Sequence, residues 1–258
     1  MGALVSAAIG HGSAPLRDYA AGPYSQRVWE RVRPVVADIE GLPFLAKLAD
    51  GTLAEAPFVN YLLQDEYYLG QYAQAMSLLA ARAPEPADMR FWALAAADSL
   101  VVEQQMHEAL LAEDRFAPAL AEVQAEVNAG LGAIPSPTTA GYSSFVVAQA
   151  ATAPYAVGVA AVLPCFWVYA HVGKVLVARP GAVSAANPYR AWVETYDSAE
   201  FDASVDGAVA IYERVAAEAG DGESGCAVRA AMEEAFVRAT AFEYRFWNSA
   251  HARENWGR

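Results

Sequence analysis

The segment TLAEAPFVNYLLQDEYYLGQYAQAMSLLAARA, residues 52–83, carries the clearest helical pattern in the chain. Thr52 is suited to cap a helix, and Glu55 follows three residues later, as in a capping box. Pro57 falls in the opening turn, where proline is tolerated. The run Pro84-Glu85-Pro86 then ends the pattern, because proline cannot continue a helix. The segment predicts one long amphipathic helix.

Helical periodicity also dominates the rest of the chain, whereas strand-like alternation is scarce. Breaks rich in proline and glycine divide the chain into further predicted helices, and Asn187-Pro188 predicts an N-cap with proline at the first helical position. These helices cover approximately residues 24–40, 44–49, 87–112, 117–128, 138–153, 154–178, 188–196, 199–219 and 227–253. We therefore predict an all-α fold, a single-domain helical bundle over residues 23–258, preceded by a mobile N-terminal extension over residues 1–22.

Composition and charge narrow the class of protein. The chain has 258 residues, of which 55% are apolar and 18% charged, as expected for a globular domain with a sizeable core. The formal net charge is −13 and no basic cluster occurs, which argues against nucleic-acid binding. The two cysteines form no disulfide framework, which fits a reducing cytoplasm.

Neither a leader nor a membrane span is expected from the sequence. The first residues lack the basic region of a secretory signal. The longest apolar run, Tyr155 to Tyr169, contains Pro164 and is shorter than the roughly 20 residues that a membrane helix needs. We therefore expect a cytoplasmic protein that does not bind membranes.

The first candidate site residue lies on the helix of residues 52–83. Tyr61, Asp65, Tyr68 and Tyr72 fall on one face of it, at i, i+4, i+7 and i+11. An aspartate among tyrosines on an apolar-rich helix is costly unless it is bonded. Asp65 is therefore either a structural carboxylate held by a tyrosine hydroxyl or a ligand-binding carboxylate.

The second candidate lies in AVLPCFWVY, residues 161–169, part of an almost wholly apolar and therefore central helix. Cys165 and Tyr169 share a face, and Pro164 favours a bend beside the thiol. Cys165 is either a small buried apolar side chain or a reactive thiol, which requires a lowered pKa. Cys226 follows a glycine-rich break without polar aromatic neighbours, and we interpret it as a bystander at a helix start.

The third candidate is Glu243 in AFEYRFW, residues 241–247, where it shares a face with Phe246 and Trp247. A carboxyl group packed against aromatic rings has a raised pKa and can serve as a general acid near neutral pH. The alternatives are a solvated glutamate or an ion pair with one of the nearby arginines, Arg238 or Arg245. Tyr142 and Tyr196, considered alone, are typical of core residues.

Metal and cofactor motifs are scarce. Glu103 and His107 could share a ligand face, but the sequence contains no Glu-x-x-His, so a ferritin-like di-iron site is not expected. No His-Glu-x-x-His and no glycine-rich phosphate loop occur either. His107 or His171 could supply an axial ligand to a haem, but a lone helical histidine is weak evidence for a haem site. We predict neither a metal nor an organic cofactor.

Taken together, these segments resemble the thiaminase II (TenA) family, and the resemblance covers nearly the whole chain, from about Tyr24 to Trp256. Each motif alone is weak, but their order and spacing also match. The matching segments are LQDEYYL at 63–69, SPT at 136–138 with Tyr142, LPCFW at 163–167 with Tyr169, Trp192 with Thr195-Tyr196, and FEYRFW at 242–247. Phe166 stands where many members carry tyrosine, and Glu66 adds a charge beside Asp65.

The resemblance implies a haem-oxygenase-like helical bundle, usually a homotetramer, in the class that has a nucleophilic cysteine. By position, Cys165 is similar to the nucleophile, Glu243 to the proton donor, and Tyr68 to the residue that raises cysteine reactivity. The implied substrate contacts are Asp65, which holds the aminopyrimidine, and Tyr142, Tyr169 and Tyr196, with Phe246 expected to stack on the ring.

The resemblance also implies the activity. We expect hydrolysis of 4-amino-5-aminomethyl-2-methylpyrimidine to its 5-hydroxymethyl product, in salvage of the thiamine pyrimidine. Cleavage of thiamine to hydroxymethylpyrimidine and the thiazole alcohol is also expected. Two other hypotheses stay open at this point: a cofactor-binding oxidase or haem-related protein on the same scaffold, and a non-catalytic pyrimidine-binding regulator.

Overall fold

The computed structural model describes residues 16–257, apart from the side chains of residues 102–106. Across that range the chain is helical and contains no strand, so the predicted all-α class is confirmed. Ser99–Glu103 forms a π-helical segment, and Asp114–Phe116 forms a short 3₁₀ turn. The helices are α1 Pro23–Glu40, α2 Pro43–Asp50, α3 Glu55–Arg82, α4 Pro86–Asp98, α5 Gln104–Leu111, α6 Ala117–Asn128, α7 Pro137–Thr152, α8 Tyr155–Val177, α9 Arg190–Thr195, α10 Ala199–Glu218 and α11 Glu223–Ala252.

The predicted cap of α3 is wrong. The helix begins at Glu55 with Ala54 in the capping position and no side-chain cap. The hydroxyl and backbone amide of Thr52 instead donate to Asp50 Oδ1, at 2.6 and 2.9 Å. Thr52 therefore closes the turn that follows α2, three residues before α3 begins.

The predicted start of α9 is also wrong, because α9 begins two residues after Pro188. The amide nitrogen of Asn187 donates to the backbone carbonyls of Leu48, Ala49 and Ala182, at 3.0 to 3.1 Å. This side chain thus ties the loop before α9 to the end of α2. A tertiary role of this kind leaves no local signature in the sequence.

The central helix is α8, which contacts α3, α7, α10 and α11. Most of its side chains are fully buried, as the apolar run predicts. Among the described residues, α8 alone is long and apolar enough to cross a membrane, but 83% of its most apolar window is buried inside the protein. That burial is typical of a core helix. Helix α8 therefore holds Cys165 and Tyr169 at the centre of the bundle.

The part of the predicted N-terminal extension that the structure describes, residues 16–22, lies against α10. Tyr19 is buried and donates a hydrogen bond to Asp202. Arg17 pairs with Asp202 and Asp206 on the same helix. Residues 1–15 lie outside the described residues, so the mobility predicted for residues 1–22 stays a prediction there.

A close approach between α8 and the end of α9 depends on Gly173. A Cβ atom at this position would lie 2.6 Å from the backbone oxygen of Tyr196 and 2.9 Å from its Cβ. Real Cβ atoms do not approach so closely, so only glycine fits without a shift of the backbone. Gly173 therefore fixes where Tyr196 stands relative to α8.

We expect Gly173→Ala to lower the free energy of unfolding by about 1–3 kcal/mol, the usual cost of overpacking. Thermal or denaturant unfolding measures this change. The matched control is Gly70→Ala, on the exposed face of α3, where a Cβ meets nothing within 4 Å. The control should be neutral or stabilising by up to about 1 kcal/mol, since alanine is the better helix former. Equal stability of the two variants would contradict the close approach.

Candidate active site

A cavity of about 170 Å³ opens between α3, α8 and the connection from α9 to α10. A cavity of roughly 150 Å³ is enough to hold a benzene-sized ring, so this one accommodates a single six-membered ring with small substituents. Aromatic and apolar side chains dominate its lining. Its chemically distinctive lining residues are Asp65 and Tyr72 from α3, Cys165 and Tyr169 from α8, and Tyr196.

Asp65 is almost completely buried at the wall of the cavity, with 2% of its surface exposed. Its Oδ2 atom accepts a hydrogen bond of 3.1 Å from the Tyr61 hydroxyl. The same oxygen lies 3.3 Å from Nε2 of His107, within ion-pair distance. The Tyr61 hydroxyl is also 3.3 Å from that of Tyr169, so these groups form one polar chain at the cavity wall.

Cys165 lines the cavity from α8 and is half-buried. Burial raises the pKa of Tyr68, Tyr72 and Tyr142 well above the usual value, and the proximity of Cys165 adds to the shift of each. These hydroxyls are therefore neutral. Tyr72 and Tyr142 donate hydrogen bonds to the carbonyl of Val162 and to Glu243. The Tyr68 hydroxyl has no well-aligned hydrogen-bond partner among the described residues. A neutral hydroxyl can donate a hydrogen bond to a thiolate, which favours the charged form that acts as a nucleophile.

Glu243 on α11 is buried, with 1% of its surface exposed, and Oε1 accepts a hydrogen bond of 2.5 Å from the Tyr142 hydroxyl. Burial, the largest cause, raises the pKa of Glu243 to about 8; the hydrogen bond from Tyr142 opposes the rise and the negative charge of Asp65 adds to it. The carboxyl group is therefore largely protonated at neutral pH. The solvated alternative is wrong, because Glu243 is buried. The ion-paired alternative is not observed among the described residues: Arg238 pairs with Glu234, and Arg245 is exposed.

The remaining predicted residues form an aromatic layer next to these groups. Tyr68 stacks on Tyr142, with ring centroids 4.7 Å apart, and packs against Phe246 at 5.7 Å. Tyr169 packs against Tyr196, with centroids 5.1 Å apart. All the predicted site residues thus lie in one region of the protein, but they form two groups. Asp65, Cys165, Tyr169 and Tyr196 line the cavity itself, whereas Tyr68, Tyr142, Glu243 and Phe246 are buried and do not belong to its lining.

Several residues at or near the cavity were not predicted as site residues, among them Tyr61, Tyr72 and His107 and the lining carboxylates Asp98 and Glu200. Tyr72 lines the cavity and donates a hydrogen bond of 2.7 Å to the carbonyl of Val162 on α8. Tyr61 and Tyr72 share the predicted face of Asp65, so helical periodicity could have found them. His107 approaches Asp65 from a different helix, and no local pattern indicates that contact.

The described residues include no group of three or more histidine, cysteine, aspartate and glutamate side chains placed to hold a metal ion. His171, considered above as a haem ligand, has Nε2 2.7 Å from Oε1 of Glu40 and does not line the cavity. The side chain of Glu103, the other half of the possible ligand pair with His107, lies outside the described side chains.

Comparisons with known proteins agree on one family. A family model described as TENA/THI-4/PQQC matches residues 29–253. The Corynebacterium efficiens thiamine biosynthesis multifunctional protein ThiED is 34% identical over 92% of this chain, which spans only 29% of that protein's length. An aminopyrimidine aminohydrolase of Bacillus subtilis is 33% identical over 83% of this chain and 84% of its own length.

Solved structures share the fold. A TenA homologue from P. horikoshii OT3 is 24% identical, with a TM-score of 0.73 over 89% of this chain and 99% of that one. A Shewanella denitrificans domain with a haem oxygenase-like fold has a TM-score of 0.62 at 14% identity, over 87% of this chain and 90% of that one. The predicted haem-oxygenase-like fold is therefore confirmed.

Proposed function

The chain belongs to the TENA/THI-4/PQQC family, and we propose on that basis that it is an aminopyrimidine aminohydrolase, or thiaminase II. The substrate would be 4-amino-5-aminomethyl-2-methylpyrimidine, converted to the 5-hydroxymethyl compound with release of ammonia. The observation that carries this proposal is the placing of Asp65, Cys165 and Tyr169 around one ring-sized cavity, with the protonated Glu243 beside them.

The dimensions and polarity of the cavity suit an aminopyrimidine. Its volume of about 170 Å³ matches one substituted ring. Asp65 would accept a hydrogen bond from the 4-amino group and so fix the orientation of the ring, since charge-assisted hydrogen bonds are the strong ones. Aromatic neighbours such as Tyr169 and Tyr196 would pack against the ring, which adds about 0.5–1.5 kcal/mol per pair beyond burial. Thiamine, which carries the same pyrimidine, is the second proposed substrate, cleaved to hydroxymethylpyrimidine and the thiazole alcohol.

The proposed reaction proceeds by covalent catalysis. The thiolate of Cys165 adds to the ring carbon beside a ring nitrogen, and Glu243 gives its proton to the ring as electrons accumulate there. The dearomatised ring then expels the exocyclic amine, which leaves from its ammonium form as neutral ammonia. Water adds to the methylene and releases one proton to the solvent. The ring nitrogen returns its proton to the Glu243 carboxylate as the thiolate departs and the ring becomes aromatic again. The net change is one water consumed and one ammonia released.

The proposal also covers the domain organisation, the oligomeric assembly and the cellular location of the protein. We propose one catalytic domain over residues 23–258, preceded by the extension of residues 1–22, and a homotetrameric, cytoplasmic protein that acts in thiamine salvage. The family match over residues 29–253 supports the single catalytic domain, and the resemblance to the thiaminase II family implies the tetramer. Size-exclusion chromatography with light scattering tests the assembly, and a monomer at micromolar concentration would contradict it.

The decisive experiment is mass spectrometry of the products formed from the aminomethylpyrimidine and from thiamine, with kcat/KM compared. The expected result is the same hydroxymethylpyrimidine from both. Binding of either compound without turnover would contradict the proposal and favour a non-catalytic pyrimidine-binding protein. An absorption spectrum of the purified protein with a Soret band would favour the haem-related alternative.

We expect kcat/KM to fall as the pH rises through about 8, approaching a tenfold loss for each further pH unit. The reason is that Glu243, whose pKa is raised to about 8 chiefly by burial, can donate a proton only while it is protonated. Ammonia release measured between pH 6 and 10 tests this. A rate that stays constant up to pH 10 would contradict the role of Glu243 as proton donor.

A further inference from the structure

His107 on α5 is a buried polar side chain that the proposed chemistry does not use. Only 1% of its surface is exposed. Neither ring nitrogen forms a well-aligned hydrogen bond with any atom that the structure describes. Because burial of an unpaired polar group is unfavourable, and most such groups are bonded, this histidine requires an explanation.

The explanation lies in a polar neighbour on α3. Nε2 of His107 is 3.3 Å from Oδ2 of Asp65, and both side chains are almost wholly inaccessible to solvent. The Tyr61 hydroxyl donates to the same Oδ2 atom. Two potential donors therefore converge on one carboxylate oxygen. The other oxygen, Oδ1, accepts no hydrogen bond from the described residues, and Asp65 forms part of the cavity wall.

The backbone before His107 indicates how this contact arises. The π-helical segment Ser99–Glu103 lies directly before α5 and contains more residues per turn than an α-helix. It therefore changes the direction in which α5 presents its side chains. Such segments are frequent at functional sites, and Ser99 itself lines the cavity.

We propose that His107 is a positioning residue for substrate recognition. Together with Tyr61 it holds Oδ2 of Asp65, with an N–H at Nε2 directed at that oxygen, so that Oδ1 is left to accept a hydrogen bond from the 4-amino group of the pyrimidine. A carboxylate fixed in this way loses less conformational freedom when the ligand binds. The inference rests on the proposed function, because it assigns a partner to the aminopyrimidine-binding carboxylate.

Three variants test the inference in the full-length protein. His107→Met removes the donor and keeps a side chain of similar length, whereas His107→Gln keeps an N–H donor at the end of the side chain. Tyr61→Phe removes only the hydroxyl. Calorimetry with 4-amino-5-hydroxymethyl-2-methylpyrimidine, the proposed product, measures binding separately from turnover.

His107→Met should raise KM and the Kd of the product on the order of tenfold, as for loss of a close polar contact to a charged group. It should change kcat less than KM. Tyr61→Phe should act in the same direction, and His107→Gln should stay within a fewfold of the wild type. An analogue of the product that lacks the 4-amino group should bind equally to the wild type and to His107→Met. A merely structural role of His107 would instead weaken the binding of both ligands.

A double-mutant cycle with Asp65→Asn provides the second readout. The effect of His107→Met should largely disappear when Asp65 has already been replaced, because residues that act through one contact are not additive. Equal product affinity of His107→Met and wild type, equal loss of both ligands, or additive effects would each overturn the inference. A wild-type protein that neither binds nor converts the aminopyrimidine would overturn the proposed function itself, and the inference with it; the two failures are therefore distinguishable.

Discussion

Replacing Cys165 with serine should lower kcat for the aminomethylpyrimidine on the order of 10³-fold or more, the scale expected for loss of a nucleophile. A serine hydroxyl stays protonated near neutral pH without an adjacent base, so it cannot add to the ring as a thiolate can. The change replaces one atom of a half-buried side chain, so the packing beside Tyr72 should survive. Affinity for the hydroxymethylpyrimidine should therefore change only a fewfold, and ammonia release and calorimetry measure the two quantities.

The second cysteine supplies the matched control. Cys226 is exposed in the first turn of α11, with its sulfur 3.4 Å from the Arg229 guanidinium, and it does not line the cavity. Cys226→Ser should keep the full rate. Covalent catalysis by Cys165 would be refuted by substantial turnover in Cys165→Ser, or by an equal loss in both variants.

Glu243→Gln should lower kcat about 10²- to 10⁴-fold, the usual contribution of a positioned acid. Glutamine has the same shape, and its amide oxygen can still accept the hydrogen bond that the Tyr142 hydroxyl gives to Glu243. It has no proton to give to the ring. The variant should also lose the fall in rate above pH 8, and a parallel pH profile in the two proteins would contradict the assignment.

The same substitution has a predictable effect on stability. Glu243 has a pKa raised from 4.5 to about 8 in the folded protein, mainly by burial. The folded state then binds the proton more tightly than the unfolded state, so wild-type stability decreases as the pH rises from about 4.5 to 8. Each pKa unit corresponds to about 1.4 kcal/mol. Glu243 alone should therefore lower the free energy of unfolding by a few kcal/mol over this pH range. Glu243→Gln should lose less stability between pH 5 and pH 8, which unfolding curves at the two values measure.

Much of the architecture was predictable from the sequence because the signals that end helices are local. The predicted bounds of α6 are those observed, and α10 differs by a residue at its end. The predicted family membership is confirmed by the family model that matches residues 29–253. It was predictable because an ordered set of short motifs is more specific than any one of them. The failures at Thr52 and Asn187 differ in detail. Thr52 bonds to Asp50 in the turn before α3, and Asn187 Oδ1 accepts the Tyr189 amide in a turn that ends before α9 begins.

The site was predictable only in part. Helical periodicity places Tyr61, Asp65 and Tyr72 on one face, because this pattern lies within one helix. The hydrogen bond from Tyr142 to Glu243 joins residues 101 positions apart, and no periodicity indicates it. The approach of His107 to Asp65 likewise depends on how α5 meets α3. The resemblance could assign Tyr142 and Glu243 to one pocket, but not the contact that links them.

The central position of α8 has a consequence for how this protein tolerates mutation over generations. The helix that presents the thiol is also the most enclosed element of the bundle, with Val162, Leu163 and Val168 fully shielded from water around Cys165. Natural selection for turnover must therefore also preserve the interior of the molecule, because the side chains that fill the interior also hold the helix that carries the sulfur. Drift in this lineage should be concentrated on the outer helices, where sequence can change without a loss of fitness.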